Sequence, residues 1–163
     1  AGRSPRRSQV RLMQKKKTFK IGPYLAEVFP EETKQAYEAF PERKDGGVLD
    51  MFRAFLKGAN GESLLFLEEM GIDMEKLTCV RPISEPDENG EVLFFAAARF
   101  CGSLLCGGDI FPRQSEEVAG LSVIFTGDEN AFQSEALGSD LPQTELRFVI
   151  PLPFDGTYFR NTK

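Results

Sequence analysis

Glu91-Val92-Leu93-Phe94-Phe95-Ala96-Ala97-Ala98-Arg99-Phe100 is the stretch whose reading decides the fold, because its apolar residues run from Val92 to Ala98 without a polar break. Turn-forming Asp87-Glu88-Asn89-Gly90 stands before it and Gly102-Ser103 after it. A short apolar run, rich in aromatic residues and bounded by turn signals, reads as a strand covered on both faces rather than a helix of ordinary length. It also falls far short of the roughly 20 apolar residues needed to cross a bilayer. Helical patterns precede it and strand patterns follow, so it marks the change from helices to sheet.

Upstream, Phe29-Pro30-Glu31-Glu32 supplies the proline and acids that suit a first helical turn, and Ala36, Tyr37, Ala39 and Phe40 carry the helix toward Pro41. Val48, Met51, Phe52, Phe55 and Leu56 recur at helical spacing and predict a helix over 48–57, closed by Gly58. Leu64, Leu65 and Leu67 repeat the signal from Glu62 to Met70, and Asp73 to Leu77 suits one further turn.

Downstream, short apolar runs separated by Gly, Pro, Asn and Asp predict strands at Glu91–Cys101, Val118–Thr126 and Glu145–Ile150, with a weaker one at Thr157–Arg160. Ser103–Cys106 would continue the first after a bend, and Gly127–Pro142 would hold a helical turn between Asp128 and Leu137. Pro151 and Pro153 are expected to end regular pairing, which leaves Pro151–Phe154 extended at an edge. The expected fold is α+β: two or three N-terminal helices packed on a small, mostly antiparallel sheet of about four strands. Residues 1–17 would be a basic arm and 18–163 a single domain with an extended aromatic C-terminal segment. Phe52, Phe55, Phe94 and Phe95 are its predicted core.

At 163 residues the chain suits one domain, and 15 Phe against 3 Tyr and no Trp make Phe the main filler. Of the 20 Lys and Arg, 8 fall within residues 1–20, which contain no acid; the rest of the chain keeps 12 basic residues against 25 acidic ones. A basic arm on an acidic body is a cue for docking on an anionic surface or an acidic protein, or for targeting. The acidic body argues against nucleic acid.

There is no histidine. Histidine is the commonest general base and metal ligand, so triads that use it are excluded and only Lys, carboxylate or Tyr bases remain. The chain is therefore expected not to be an enzyme. Cys79, Cys101 and Cys106 are an odd number without regular spacing and point to buried thiols in a reducing compartment, with neither a disulfide nor a metal. Gly102, Gly107 and Gly108 form no phosphate-binding loop, and Asp128-Glu129-Asn130 lacks the spacing of a calcium loop. The pairs Glu31-Glu32, Glu68-Glu69 and Glu116-Glu117 are adjacent in sequence and read as solvated faces. No cofactor is predicted, and peripheral contact with a pigment stays open.

Arg6-Arg7-Ser8 followed by Val10-Arg11-Leu12-Met13-Gln14 is rich in Arg and Ser and free of acid. This composition resembles the end of a transit segment in algae with complex plastids. The resemblance implies the plastid stroma or the stromal face of the thylakoid, with the mitochondrial matrix as the alternative. Arg6, Arg7, Arg11, Lys15, Lys16 and Lys17 form a candidate electrostatic docking arm, and Phe154, Tyr158 and Phe159 an apolar one. The functional expectation is a non-catalytic accessory or linker subunit of a larger, membrane-associated complex, with no transmembrane segment of its own. A photosystem or light-harvesting antenna involved in photosynthesis is the specific candidate. The alternatives are a small-molecule or pigment-binding module, a subunit of a mitochondrial complex, and an enzyme using a lysine or carboxylate.

Overall fold

A computed structural model describes residues 15–40, 61–77, 79–109 and 114–153. The helix expected over 48–57, with Phe52 and Phe55, and the strand expected at Thr157–Arg160 lie outside them.

The chain opens with a hairpin of β1 (Lys17–Ile21) and β2 (Tyr24–Val28). Phe19, Ile21, Tyr24, Ala26 and Val28 alternate on its inner face, and Ile21 faces Tyr24 across Gly22-Pro23. Gly22 has φ 54°, and Pro23 is held near −65° by its ring, which are the φ signs of a type II′ turn. Helix α1 (Pro30–Glu38) follows, with Pro30 in its first turn beside Glu31 and Glu32. Helix α2 (Gly61–Glu69) and a 3₁₀ turn (Met74–Lys76) come next, the latter capped by Asp73, whose carboxylate accepts from the Glu75 N–H at 2.9 Å.

The remainder is sheet: β3 (Cys79–Pro82), β4 (Glu91–Cys106), β5 (Glu116–Val118), β6 (Leu121–Thr126) and β7 (Gln143–Pro153). A 3₁₀ turn, Glu129–Ala131, lies between β6 and β7. The strand order is β1-β2-β4-β7-β6-β5 with β3 also on β4, and every pairing is antiparallel.

This overturns the expected two or three helices on about four strands, since the described residues hold a seven-stranded sheet and only two α-helices. Each extra strand has a physical origin. In β1 the alternation of Phe19 and Ile21 is masked by lysines, and β3 is short and ends in proline. The run expected as one strand over Val118–Thr126 is split by a turn at Ala119-Gly120, where φ is 51° and 79°. Both central residues at positive φ mark the tight turn of a hairpin, so β5 and β6 pair with each other.

Strand β4 is the long element, and its two edges are treated differently. One edge pairs from Glu91 to Cys101 with β7. The other is shared: Phe94–Ala97 pair with β3, and Gly102–Cys106 with β2. Helix α1 fills the break between them. Phe29 N–H donates to the Cys101 carbonyl at 2.9 Å, Cys101 N–H donates to Thr33 Oγ1 at 2.9 Å, and the Tyr37 hydroxyl donates to the Arg99 carbonyl at 2.6 Å. At Gly102 the β2 backbone comes so close that a Cβ would collide with the Glu27 carbonyl. Only glycine admits that approach.

The expectation that Glu91–Phe100 is covered on both faces holds over Ala96–Ala98, all three buried, and is corrected for Leu93 and Phe95. Val92, Phe94, Ala96, Ala98 and Phe100 are buried, whereas Leu93 is 40% exposed and Phe95 is half-buried, with the Arg81 guanidinium 4.6 Å from its ring centre. The burial alternates over Val92–Phe95, as in a strand with one face inward.

The expected end of pairing at Pro151 is also corrected, because β7 runs through Pro153 with Pro151 opposite Leu93 and Pro153 opposite Glu91. Register permits this. Leu93 N–H donates to Ser84 Oγ at 2.9 Å and its carbonyl accepts from Ile83 N–H at 2.8 Å, so its backbone groups face away from β7. The proline opposite then has its nitrogen turned away from β4, where no ladder donor is required.

The sheet curls until its ends approach. A Cβ on Gly22, in the β1–β2 turn, would collide with the Glu116 side chain of β5. The Tyr24 hydroxyl donates to the Gln114 carbonyl at 2.5 Å. Helix α2 spans the same gap, with Phe66 edge-on to Phe19 at 6.0 Å and Ser63 Oγ donating to the Ala119 carbonyl at 2.6 Å. Inside lie Tyr24, Phe94, Phe100, Phe125 and Phe148, all below 2% exposure.

Phe94→Ala is expected to cost about 3–5 kcal/mol of stability, against about 1 kcal/mol for Phe95→Ala, which loses a half-exposed ring. Urea unfolding of the two variants measures the contrast, and equal losses would contradict the alternation.

Candidate functional site

The described side chains form three settings in which chemistry or binding could occur. The first is the interior, where aromatic rings from four strands fill the space. Tyr24 stands 5.3 Å from Phe125, and Phe125 lies 6.1 Å from Phe100, centre to centre. A curled sheet closed in this way is packed with its own side chains, as the interiors of small barrels are.

The second is a polar clasp on the outer face of β4 and β7. The segment after the Glu129–Ala131 turn crosses this face and is held by Glu145, which is wholly buried. Its Oε2 accepts from Gln133 N–H at 2.8 Å, Ser134 N–H at 2.9 Å and Ser134 Oγ at 2.5 Å, while Oε1 accepts from Arg147 Nε at 2.8 Å. Arg147 also donates to the Ala131 carbonyl. Arg99 Nε donates to the Ser134 carbonyl at 3.1 Å, and its guanidinium lies 4.5 Å from the Phe132 ring centre. Burial pushes the Glu145 carboxyl up, but the hydrogen bonds from Ser134, Arg147 and Gln133 outweigh it and hold the group below the ordinary carboxylate range. A carboxylate bonded on both oxygens is a fastener for the crossing segment.

The thiols and the buried phenol are likewise tied into structure. Burial raises Tyr37 far above the ordinary phenol range, and its hydroxyl is committed to Arg99. Cys79 and Cys101 are raised by burial as well, which favours the thiol over the nucleophilic thiolate. All three cysteines are free, and Cys106 is exposed. Among the described residues no cluster of three or more acidic or cysteine side chains is arranged to hold a metal ion. Surface clefts of about 440 Å³, lined by Lys34, Leu64, Glu68 and Asp73, and about 530 Å³, over Pro82–Pro86, are open to solvent.

The third setting is the lysine-bearing edge. Lys15, Lys16, Lys17, Thr18 and Lys20 are all exposed. Lys16 Nζ is 3.7 Å from Glu27 and Lys17 Nζ 3.6 Å from Glu69, surface pairs worth at most about 1 kcal/mol each. Phe19 and Ile21 anchor the strand on the inner face, so Lys17 and Lys20 ride on a paired strand, with Lys15 and Lys16 directly before it.

Of the predicted docking residues, Lys15, Lys16 and Lys17 are thus brought together at the start of β1. Arg6, Arg7, Arg11, Phe154, Tyr158 and Phe159 lie outside the described residues. Lys20 and Thr18 belong to the same run, Lys15-Lys16-Lys17-Thr18-Phe19-Lys20, which the sequence offers as one basic group; what that charge does not show is that Lys17–Ile21 is a strand. The signal was present in the two-residue alternation from Phe19 to Val28 around Gly22-Pro23. No helix among the described residues is long and apolar enough to cross a membrane. Compared with protein-family models, curated proteins and solved structures, the chain finds no match.

The clasp sets an acid limit to stability. A carboxyl depressed in the folded state contributes fully above its unfolded value of about 4.3, and that contribution is lost as pH falls through the folded value. Glu145→Gln should therefore lower stability by about 1–3 kcal/mol at neutral pH and flatten its decline below about pH 4.5. Urea midpoints of both proteins between pH 3 and 7 test this; parallel curves would mean that Glu145 does not set the limit.

Proposed function

We propose that the chain is a non-catalytic accessory subunit that attaches to a larger, membrane-associated protein assembly through basic side chains. The observation that carries this reading is the exposed group Lys15, Lys16, Lys17 and Lys20, the last two on end strand β1 and the first two directly before it, in an otherwise acidic domain. Such an arrangement attracts an acidic surface at the strand and repels it elsewhere, which favours one docking orientation. The filled interior supports docking over enclosure of a pigment or metabolite, since a ligand there would have to displace Tyr24, Phe94, Phe100, Phe125 or Phe148. The commitment of Glu145 and Tyr37 to structural hydrogen bonds supports a role without catalysis. The Arg- and Ser-rich stretch over residues 6–14 supports a plastid address, and with it the stromal side of a photosystem or light-harvesting complex.

The test compares the full chain with a variant carrying serine at positions 15, 16, 17 and 20, each added to solubilised membranes of the source cells and resolved on a native gradient. The unaltered chain should migrate with a large complex and the variant should remain in the light fractions, with the difference shrinking as salt rises. Equal co-migration at every salt concentration would remove the lysines from the interface and the reading with them.

A further inference from the structure

The outer face of β4 and β7 is covered by the crossing segment over part of its length only. Residues directly opposite in antiparallel strands point to the same side, so Arg99 with Glu145 and Ala97 with Arg147 share that face with Phe95 and Val149, Leu93 and Pro151, and Glu91 and Pro153. The segment held by Glu145 bonds to Arg99 and Arg147, and toward β3 it reaches Arg81 through Gln133 Oε1 at 3.5 Å. Past that line the face is apolar and open. Leu93 is 40% exposed, Ile83 is 48% exposed, and Pro151 is exposed as well. The Ile83 N–H donates to the Leu93 carbonyl at 2.8 Å, so Ile83, Leu93 and Pro151 form a row from the end of β3 across β4 to β7. The cleft of about 530 Å³ over Pro82–Pro86 adjoins this row at Ile83. The face that an antiparallel sheet turns to water is ordinarily polar.

The rim of the row is acidic. Glu85, Asp87 and Glu88 are exposed in the loop that joins β3 to β4, and half-buried Glu91 stands on the same face as Leu93. Among the described residues none of these four forms an ion pair, and Arg81, at the other end of the row, is stacked on Phe95. We propose that Ile83, Leu93 and Pro151 receive an amphipathic helix of a partner protein, aliphatic on the side laid against them and carrying lysine or arginine toward Glu85, Asp87, Glu88 and Glu91. Both edges of β4 are already bonded over this stretch, to β3 and its following loop and to β7, so a partner meets side chains rather than ladder groups. A helix docks in that way. The carboxylates repel an anionic membrane surface, and a second copy would set four more against them with only its Arg81 in exchange; a cationic partner removes the excess. Leu93 lies on the order of 30 Å along β4 from Gly102, where β2 is attached. The surface is thus separate from the lysines of β1, selects the opposite charge, and does not rest on the docking proposed for them.

The experiment titrates the full chain with a fluorescent peptide of about five helical turns that has leucine along one face and lysine beside it. One control replaces every lysine by glutamate, the other every leucine by serine. The leucine-lysine peptide should bind, and each control should bind at least about tenfold more weakly. Leu93→Asp and Ile83→Asp, which alter exposed side chains, should each weaken binding about tenfold, whereas Leu65→Ser, at a 59% exposed leucine on α2, should leave it unchanged. Glu85→Gln combined with Glu88→Gln should weaken binding and lessen its dependence on salt. If the aspartate variants do not fold, amide chemical shifts of the unaltered chain decide on titration: changes gathered on residues 81–95 and 149–153 support the surface, and changes gathered elsewhere overturn it. Equal binding of the peptide by either aspartate variant, equal binding of either control, or no binding at all overturns the proposal. Concentration-dependent dimers of the chain alone that Leu93→Asp dissolves would assign the face to a second copy and overturn it likewise.

Discussion

Strand β4 presents more backbone than its neighbouring strands can pair, and the structure depends on how that surplus is met. Between β3 and β2 its Arg99 carbonyl and both backbone groups of Cys101 would face a gap in the sheet. A buried peptide group left without a partner costs about as much as a lost hydrogen bond, or more. Helix α1 answers with the Tyr37 hydroxyl, the Thr33 hydroxyl and the Phe29 N–H. One side chain serves twice: Thr33 Oγ1 accepts from Cys101 and donates to the Phe29 carbonyl at 2.7 Å. The helix is thereby fixed to the sheet by directional bonds as well as by its buried Ala36 and Tyr37.

With α1 in that gap, β4 can serve two sheet regions at once. Its first half belongs with β3, β7 and β6, and its second half carries the β1–β2 hairpin around toward β5. The close approach at Gly102 lets the second half lie against β2, and α2 then spans from Phe19 to Ala119. Hydrophobic burial follows from this closure, since rings from β2, β4, β6 and β7 meet in one interior.

The elements legible in the sequence were those whose pattern is set locally. Pro30 with Glu31 and Glu32 marks the start of α1, the leucines mark α2, and the uninterrupted run from Val92 marks β4 and the bend beyond it. Elements whose character comes from a distant neighbour were harder to see. Strand β1 looks like a tail until Phe66 packs on Phe19. Strand β3 gains its identity only by pairing with Phe94–Ala97. Pro151 and Pro153 resemble terminators until the parity of β4 shows that their nitrogens face outward. The lysines over residues 15–20 were legible as charge, because charge can be counted; the placement of Lys17 and Lys20 on an end strand was not, because it follows from the hairpin. Glu145 gave no signal at all, since its burial depends on Arg147 and on a segment that returns from β6.

The two prolines at the end of β7 have a consequence for the company the protein keeps. Strand β6 covers β7 only as far as Val149, so the margin beyond it would ordinarily be adhesive, ready to recruit a neighbouring chain and seed stacked sheets. At positions 151 and 153 that margin has a pyrrolidine ring where an N–H would be needed. A stranger's strand laid there meets a blank in the ladder at every second residue. Growth of aggregates from this side is blocked by covalent chemistry, at any pH and any salt concentration, whereas at β1 the described residues set a helix and a group of lysines against an incoming chain, and the share of that guard that is charge weakens as salt rises.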